Sequence, residues 1–344
     1  MLTDKEVLKI KDALLSHKKP FFLFHDDPDG LASFLLFYRF VKEGRGYVVK
    51  AFPKITKDYV KRVEDYGADV LFILDIAMVD QEFIDAMKIP IYWIDHHPVL
   101  ERENVNYFNP RKTVGNIPTP ALCYQIVQQD LWLTVTGCIG DWYWPKELVE
   151  EFRKKYPGLL PDEINTVEQA LLNSTLGKLI KAFSFNLKGT SSDVAQSIKT
   201  FTRIESPNEI LKGETPRGRF LLKRYEKINS QFEALYSEAV KKKTDDKILL
   251  FTYHDDRLSL TKDVANELIA GFPDKVIVLG REKDDEYRCS LRSGKNVELA
   301  QILAKALVGI EGHGGGHEQA CGAAIKKHNF ERFLENMRRE LENV

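Results

Sequence analysis

The sequence predicts an α/β protein: an N-terminal doubly wound parallel sheet, a helical connector and a smaller C-terminal α/β domain. Three observations predict it. In the first third, short and nearly continuous apolar runs alternate with single helical segments, as in a parallel sheet covered on both faces. From Leu221 onward, Tyr225, Ile228, Phe232, Leu235 and Ala239 recur in steps of three and four, which marks one face of a long helix. A second set of strand and helix signals then begins at Ile248. The domains are read as 1–200, 201–244 for the connector and 245–344.

Taken in order, Val7, Ile10 and Leu14 give a first helix one apolar side. Phe21 to Phe24 is a strand that stops at His25, and Asp29 can cap a helix carrying Leu31, Leu35 and Phe40. Strands are read at Val48–Phe52, Val70–Leu74 and Ile89–Ile94, with helices near 57–66 and 80–88 between them. The apolar stretch Leu131–Gly140 leads to Asp141, and the region from 150 to 215 is helical in tendency. In the last domain, strands are read at Ile248–Tyr253, Val276–Leu279, Glu286–Leu291 and Ala323–Ile325, with helices near 261–270 and 296–308 and a final amphipathic helix.

The 344 residues are 43% hydrophobic, enough for two cores, and the formal net charge is −1. That balance argues against holding long nucleic acid by charge alone and favours a small or short anionic substrate, or a local basic groove hidden by an acidic remainder. Cys123, Cys138, Cys289 and Cys321 show no paired spacing and read as reduced core thiols of a cytoplasmic protein. No signal peptide, membrane span or internal repeat is expected.

Ligands in an open parallel sheet bind beyond the carboxyl ends of its strands. His25, Asp27, Asp29, Asp75, Asp95 and His96 would all emerge there. An extended segment would turn positions 25, 27 and 29 the same way and Asp26 elsewhere. Several carboxylates with two imidazoles suit a pair of hard divalent ions, Mn²⁺ above a cysteine-rich zinc site, for phosphate hydrolysis. Taken alone, His25-Asp26-Asp27-Pro28-Asp29 reads equally as a capped helix start with solvated carboxylates. Far downstream, Gly314, Gly315 and Gly316, flanked by His313 and His317, would let backbone N–H groups approach a phosphate. Arg292, with Ser290 beside it, could grip a terminal phosphate bidentately. Trp142, Tyr143 and Trp144 could stack a nucleobase or fill a core.

The ordered motifs His25-Asp26-Asp27-Pro28-Asp29-Gly30, Asp75, Asp95-His96-His97 and Gly140-Asp141 resemble those of the DHH phosphoesterase superfamily. Asn109-Pro110-Arg111 is similar to the stretch that follows the name motif in RecJ-like members. Ser290-Leu291-Arg292-Ser293 and Gly314-Gly315-Gly316-His317 resemble the associated DHHA1 domain, so the resemblance covers nearly the whole chain and is weakest over 150–240. The two-residue step from His25 to Asp27 is similar to that of archaeal RecJ-like members; others place this histidine four residues ahead.

The resemblance implies one metal held by His25, Asp27 and Asp75, and a second held by Asp29, Asp75, His96 and Asp141, with Asp75 bridging. It implies that Asp95 orients a ligand and that His97 meets the scissile phosphate or leaving oxygen. The expected function is a Mn²⁺-dependent phosphodiesterase, with Mg²⁺ or Co²⁺ as substitute ions. Its substrate would be single-stranded or short DNA or RNA, from which it releases mononucleotides. One alternative is a hydrolase of small nucleotides (a cyclic dinucleotide or 3′-phosphoadenosine phosphate) or of polyphosphate. Another is a replication-associated scaffold; replication or repair proteins are expected partners, and a membrane is not.

Overall fold

In the computed structural model, residues 1–50, 54–242, 244–254, 258–294 and 297–342 are described. The chain forms two compact units, Met1–Leu187 with Ser191–Tyr225, and Lys188–Thr190 with Glu226–Val344.

The first unit contains β1 (Pro20–His25), β2 (Arg45–Val49), β3 (Lys54–Ile55), β4 (Val70–Leu74), β5 (Met78–Val79), β6 (Ile91–Ile94) and β7 (Asn106–Phe108). Five of them make a sheet in the order β2-β1-β4-β6-β7, every pairing parallel, and β3 pairs separately with β5. The apolar runs are continuous because both faces are covered. Phe21, Leu23, Leu71, Ile73 and Trp93 share one core with Val63, Phe83 and Ile84 of the helices Val60–Tyr66 and Gln81–Ala86. On the alternate positions, Phe22 and Phe24 meet Phe34 of the helix Pro28–Val41 at ring-centroid distances of 5.5 and 4.6 Å, and Phe22 stacks on Phe72 at 5.4 Å. Each fully buried side chain of this size contributes about 1.5–3 kcal/mol of transfer free energy.

Three segments differ from the sequence reading. β7 lies where no element was read. Leu131–Gly140 is a helix, so Asp141 reaches its place from a helix C-terminus rather than from a strand. The strand expected over Val48–Phe52 begins earlier and runs Arg45–Val49; Phe52 lies outside the described residues.

The second unit holds β8 (Ile248–His254), β9 (Val276–Lys283), β10 (Glu286–Arg292), β11 (Gly312–His317) and β12 (Ala320–Lys326), ordered β11-β12-β10-β9-β8. Only β8 and β9 are parallel; the other pairings are antiparallel. Val276, Val278, Cys289 and Leu291 pack in one core with Leu299, Leu303, Phe333 and Met337 of the helices Leu299–Ala306 and Phe330–Glu342. Among the described residues, no helix is long and apolar enough to cross a membrane.

Candidate metal centre

The parallel register aligns the carboxyl ends of β1, β4 and β6, and the polar residues follow those ends directly. His25 closes β1, Asp75 follows β4, and Asp95-His96-His97 follows β6. Asp75 turns back into the edge through a left-handed conformation, φ 58°, which aspartate tolerates better than most residues. Asp27 is the N-cap of the helix Pro28–Val41 and accepts a hydrogen bond from the Gly30 N–H at 3.1 Å. Asp29 lies in that helix's first turn, so Asp27 and Asp29 converge through a helix start and not through strand alternation. A Cβ on Gly30 would sit 2.4 Å from the His25 carbonyl oxygen; its absence lets the helix begin against the end of β1.

Two overlapping ligand groups result. His25 Nδ1 lies 2.9 Å from Asp27 Oδ2 and 3.3 Å from Asp75 Oδ2. His96 Nε2 lies 3.2 Å from Asp75 Oδ1, 3.6 Å from Asp141 Oδ2 and 3.9 Å from Asp29 Oδ2. Asp75 thus offers one oxygen to each side. Ligand atoms of His25, Asp27 and Asp75, and separately of Asp29, His96 and Asp141, lie within 4.8 Å of one another. Asp29 and Asp75 are each only 1% exposed, and both Asp75 oxygens and Asp29 Oδ2 accept no well-formed hydrogen bond. Buried carboxylate oxygens left this way are costly unless a cation or proton offsets them.

The electrostatics agree. Burial alone would lower the pKa of His25, but Asp27 and Asp75 outweigh it and hold the imidazole well above its ordinary value. His96, opposed by burial but drawn by Asp75 and Asp141, rises to about 10. Burial and the charges of Asp75 and Asp141 push Asp29 well up. At Asp75, burial and Asp27 act upward, yet the neighbouring imidazoles of His25 and His96 leave it lowered. Without divalent ions, the carboxylates keep protons on the imidazoles; hard cations would replace those protons with coordination. The donor set fits such ions. Asp141 adds to this, because a carboxylate at a helix C-terminus meets the negative end of the dipole unless a cation offsets it.

The name-motif residues divide unexpectedly. Asp95, fully buried, takes His97 Nδ1 at 2.8 Å and the His97 N–H at 3.1 Å. Tyr107 and Asn109 each donate to its Oδ2 at 3.4 Å. His96 is oriented by a different residue: its Nδ1 meets Asn116 Oδ1 at 2.7 Å, while Arg111 Nε donates to the His96 carbonyl at 2.5 Å.

In the second unit, Ser290 and Arg292 share a face of β10. Ser290 donates to Thr261 Oγ1 at 2.9 Å. Arg292 Nε donates to Asn266 Oδ1 at 2.6 Å, and its Nη1 donates to the carbonyls of Leu291 and Cys321. Burial lowers Arg292 to about 10, which leaves it charged at neutral pH. With Nε and Nη1 engaged, a phosphate would meet Nη2 alone, in place of the expected two-pronged grip. The residues His313, Gly314, Gly315 and Gly316 lie on β11, an exposed edge strand paired with β12; the side chain of His317 lies outside the described residues. An edge strand turns half its backbone N–H groups away from its neighbour, so alternate N–H groups along β11 point away from β12.

A family model, the DHHA1 domain, matches residues 237–343. RecJ from Thermus thermophilus in complex with Mn²⁺ superposes with TM-score 0.74 at 14% identity, over 99% of this chain and 54% of that one. Residues 237–343 thus match a DHHA1 domain, and the fold of the chain is that of RecJ. A second solved exonuclease RecJ, bound to manganese, matches this chain with TM-score 0.64 at 13% identity, over 99% and 94% of the two chains. The pGpG-specific phosphodiesterase PggH of Vibrio cholerae matches with TM-score 0.50 at 14% identity, over 95% and 99%. The chain spans about half the length of the Thermus RecJ. No curated protein matches it in sequence.

The residues expected to act together at the metals, His25, Asp27, Asp29, Asp75, His96 and Asp141, converge at one edge of the parallel sheet. Sequence reasoning missed Asn116 and Tyr107. Asn116 is one polar residue in a loop, and only the fold shows that it faces an imidazole twenty residues away.

Proposed function

We propose that the chain is a Mn²⁺-dependent phosphodiesterase with a two-metal site, an exonuclease that releases mononucleotides from single-stranded or short DNA or RNA. One observation carries the reading: Asp75 belongs both to a ligand group with His25 and Asp27 and to one with His96 and His97, with both oxygens buried and without a well-formed hydrogen bond. One ion would be held by His25, Asp27 and Asp75, and the other by Asp29, Asp75, His96 and Asp141. When bound, such ions polarise the phosphate and acidify water. Asn116 fixes the ring of His96 through Nδ1, so Nε2 would be the nitrogen left to hold an ion. Asp95 anchors His97 through Nδ1, which leaves Nε2 as the nitrogen able to meet a phosphate or leaving oxygen. Within the second unit, Arg292, through Nη2, and the edge of β11 would bind a phosphate. Four buried free cysteines fit a reducing, cytoplasmic setting.

A second reading keeps the chemistry and takes a small nucleotide as substrate. The net charge of −1 and the likeness to PggH support it. A hydrolysis panel with Mn²⁺ separates the two: 5′- and 3′-labelled single-stranded DNA and RNA of several lengths beside linear and cyclic dinucleotides, 3′-phosphoadenosine phosphate and polyphosphate. Stepwise release of mononucleotides from oligomers is expected. Turnover of dinucleotides alone would establish the second reading, and no turnover of any substrate would overturn both.

A further inference from the structure

A cavity of about 500 Å³ lies in the first unit along the edge strand β2, covered by the helix Ser191–Phe201. None of the metal-centre carboxylates or histidines lines it. Its lining carries three cations, Arg45, Lys50 and Lys199, and no carboxylate, in a protein whose acids slightly outnumber its bases. The side chains of Arg45 and Lys199 make no ion pair or hydrogen bond among the described residues. Tyr38, Tyr47 and Tyr59 supply aromatic surface, and Tyr47 packs edge-on to Tyr59 at 6.1 Å. The close floor depends on Gly46, because a Cβ there would stand 2.4 Å from the Phe34 ring that packs under the strand.

Arg45 and Lys199, set in a wall without carboxylates, call for an anion, and the tyrosines call for a planar ring. The volume lies in the range that encloses a single small ligand. A purely apolar ligand would leave these two cations unanswered, and a bare phosphate would leave the rings unused. We propose that this cavity is a second nucleotide site that takes one free nucleoside monophosphate, its phosphate among the cations and its base against the tyrosines. Such a site does not require the metal centre to be hydrolytic.

The test is calorimetric titration of the full chain with AMP, first without added metal and then with Mn²⁺, using adenosine, inorganic phosphate and a short oligoadenylate as further arms. One AMP per chain is expected to bind without metal, more tightly than adenosine or phosphate. Arg45→Glu combined with Lys199→Glu, both exposed positions, should weaken AMP at least tenfold, while Asp75→Asn leaves it unchanged. Circular dichroism establishes that each variant folds. Failure of AMP to bind without metal overturns the proposal. So does loss of binding in Asp75→Asn with retention in the double charge reversal, which would put the nucleotide at the metal centre. Binding of oligoadenylate through Arg45 and Lys199 without binding of AMP would also overturn it, making the cavity a contact for polymer.

Discussion

Asp75 joins two demands in one residue. It holds a left-handed backbone, φ 58°, and it places one buried oxygen toward each ligand group. Asparagine tolerates the same conformation and nearly the same shape, so Asp75→Asn should keep the melting temperature near that of the parent while hydrolysis falls by about a thousandfold or more. Preserved turnover in a panel assay would remove Asp75 from its bridging role. Asn116 acts one step back. Asn116→Ala frees the His96 ring, and Mn²⁺ affinity by calorimetry should drop about 10–100-fold with little change in fold; unchanged affinity would show that the ring is fixed by other means. These two residues also mark how far the sequence can be read. Asp75 ends an apolar run, and its position announces it. Asn116 has no such signature, since its role depends on where a loop lies against the end of a strand. The same limit explains Asp95, whose neighbour His96 is closest in sequence but whose carboxylate goes to His97.

At the scale of elements, the helix Pro28–Val41 carries two ligands into the centre, and Gly30 sets its closeness to β1. Gly30→Ala raises helix propensity but drives a methyl group into the His25 backbone. The overpacking should cost about 1–3 kcal/mol and weaken Mn²⁺ binding at the same time, read by thermal melting and calorimetry; a variant that is more stable with unchanged affinity would show that the contact is easily relieved. Strands β1, β4 and β6 were legible because burial on both faces writes an unbroken apolar run. Leu131–Gly140 was less so: it is buried over nearly its full circumference, and a fully buried helix lacks the polar stripe that declares its period. β11 was concealed by composition, because a strand of Gly312-His313-Gly314-Gly315-Gly316-His317 has almost no side chains to alternate.

Across the whole molecule, acids and bases nearly cancel, yet they are not evenly spread. Asp27, Asp29, Asp75 and Asp141 gather at one sheet edge, and Arg45, Lys50 and Lys199 line a cavity along another part of the same unit. The formal charge of −1 conceals both. Binding of ions at the acidic edge must stabilise the native state; free Mn²⁺ at about a hundred times its dissociation constant contributes roughly 2.7 kcal/mol. The melting temperature should therefore rise with Mn²⁺, fall on chelation, and respond far less in Asp75→Asn. An identical shift in that variant would place the stabilising ions elsewhere. What no composition could supply was the meeting of distant segments: sheet order, not local pattern, brings His25 beside Asp75 and Asp75 beside His96.

That order has a consequence for how the protein comes into being. The candidate ligands come from β1, the start of Pro28–Val41, β4, β6 and the end of Leu131–Gly140, so the earliest and the latest are separated by most of a domain's worth of chain. A growing or partly folded chain can present one or two carboxylates, but not either complete set. Loading must then wait until non-local strand pairing is finished, and a chain misassembled at any of those crossovers would remain inert. On the proposed assignment, competence for metal would arrive all at once and late.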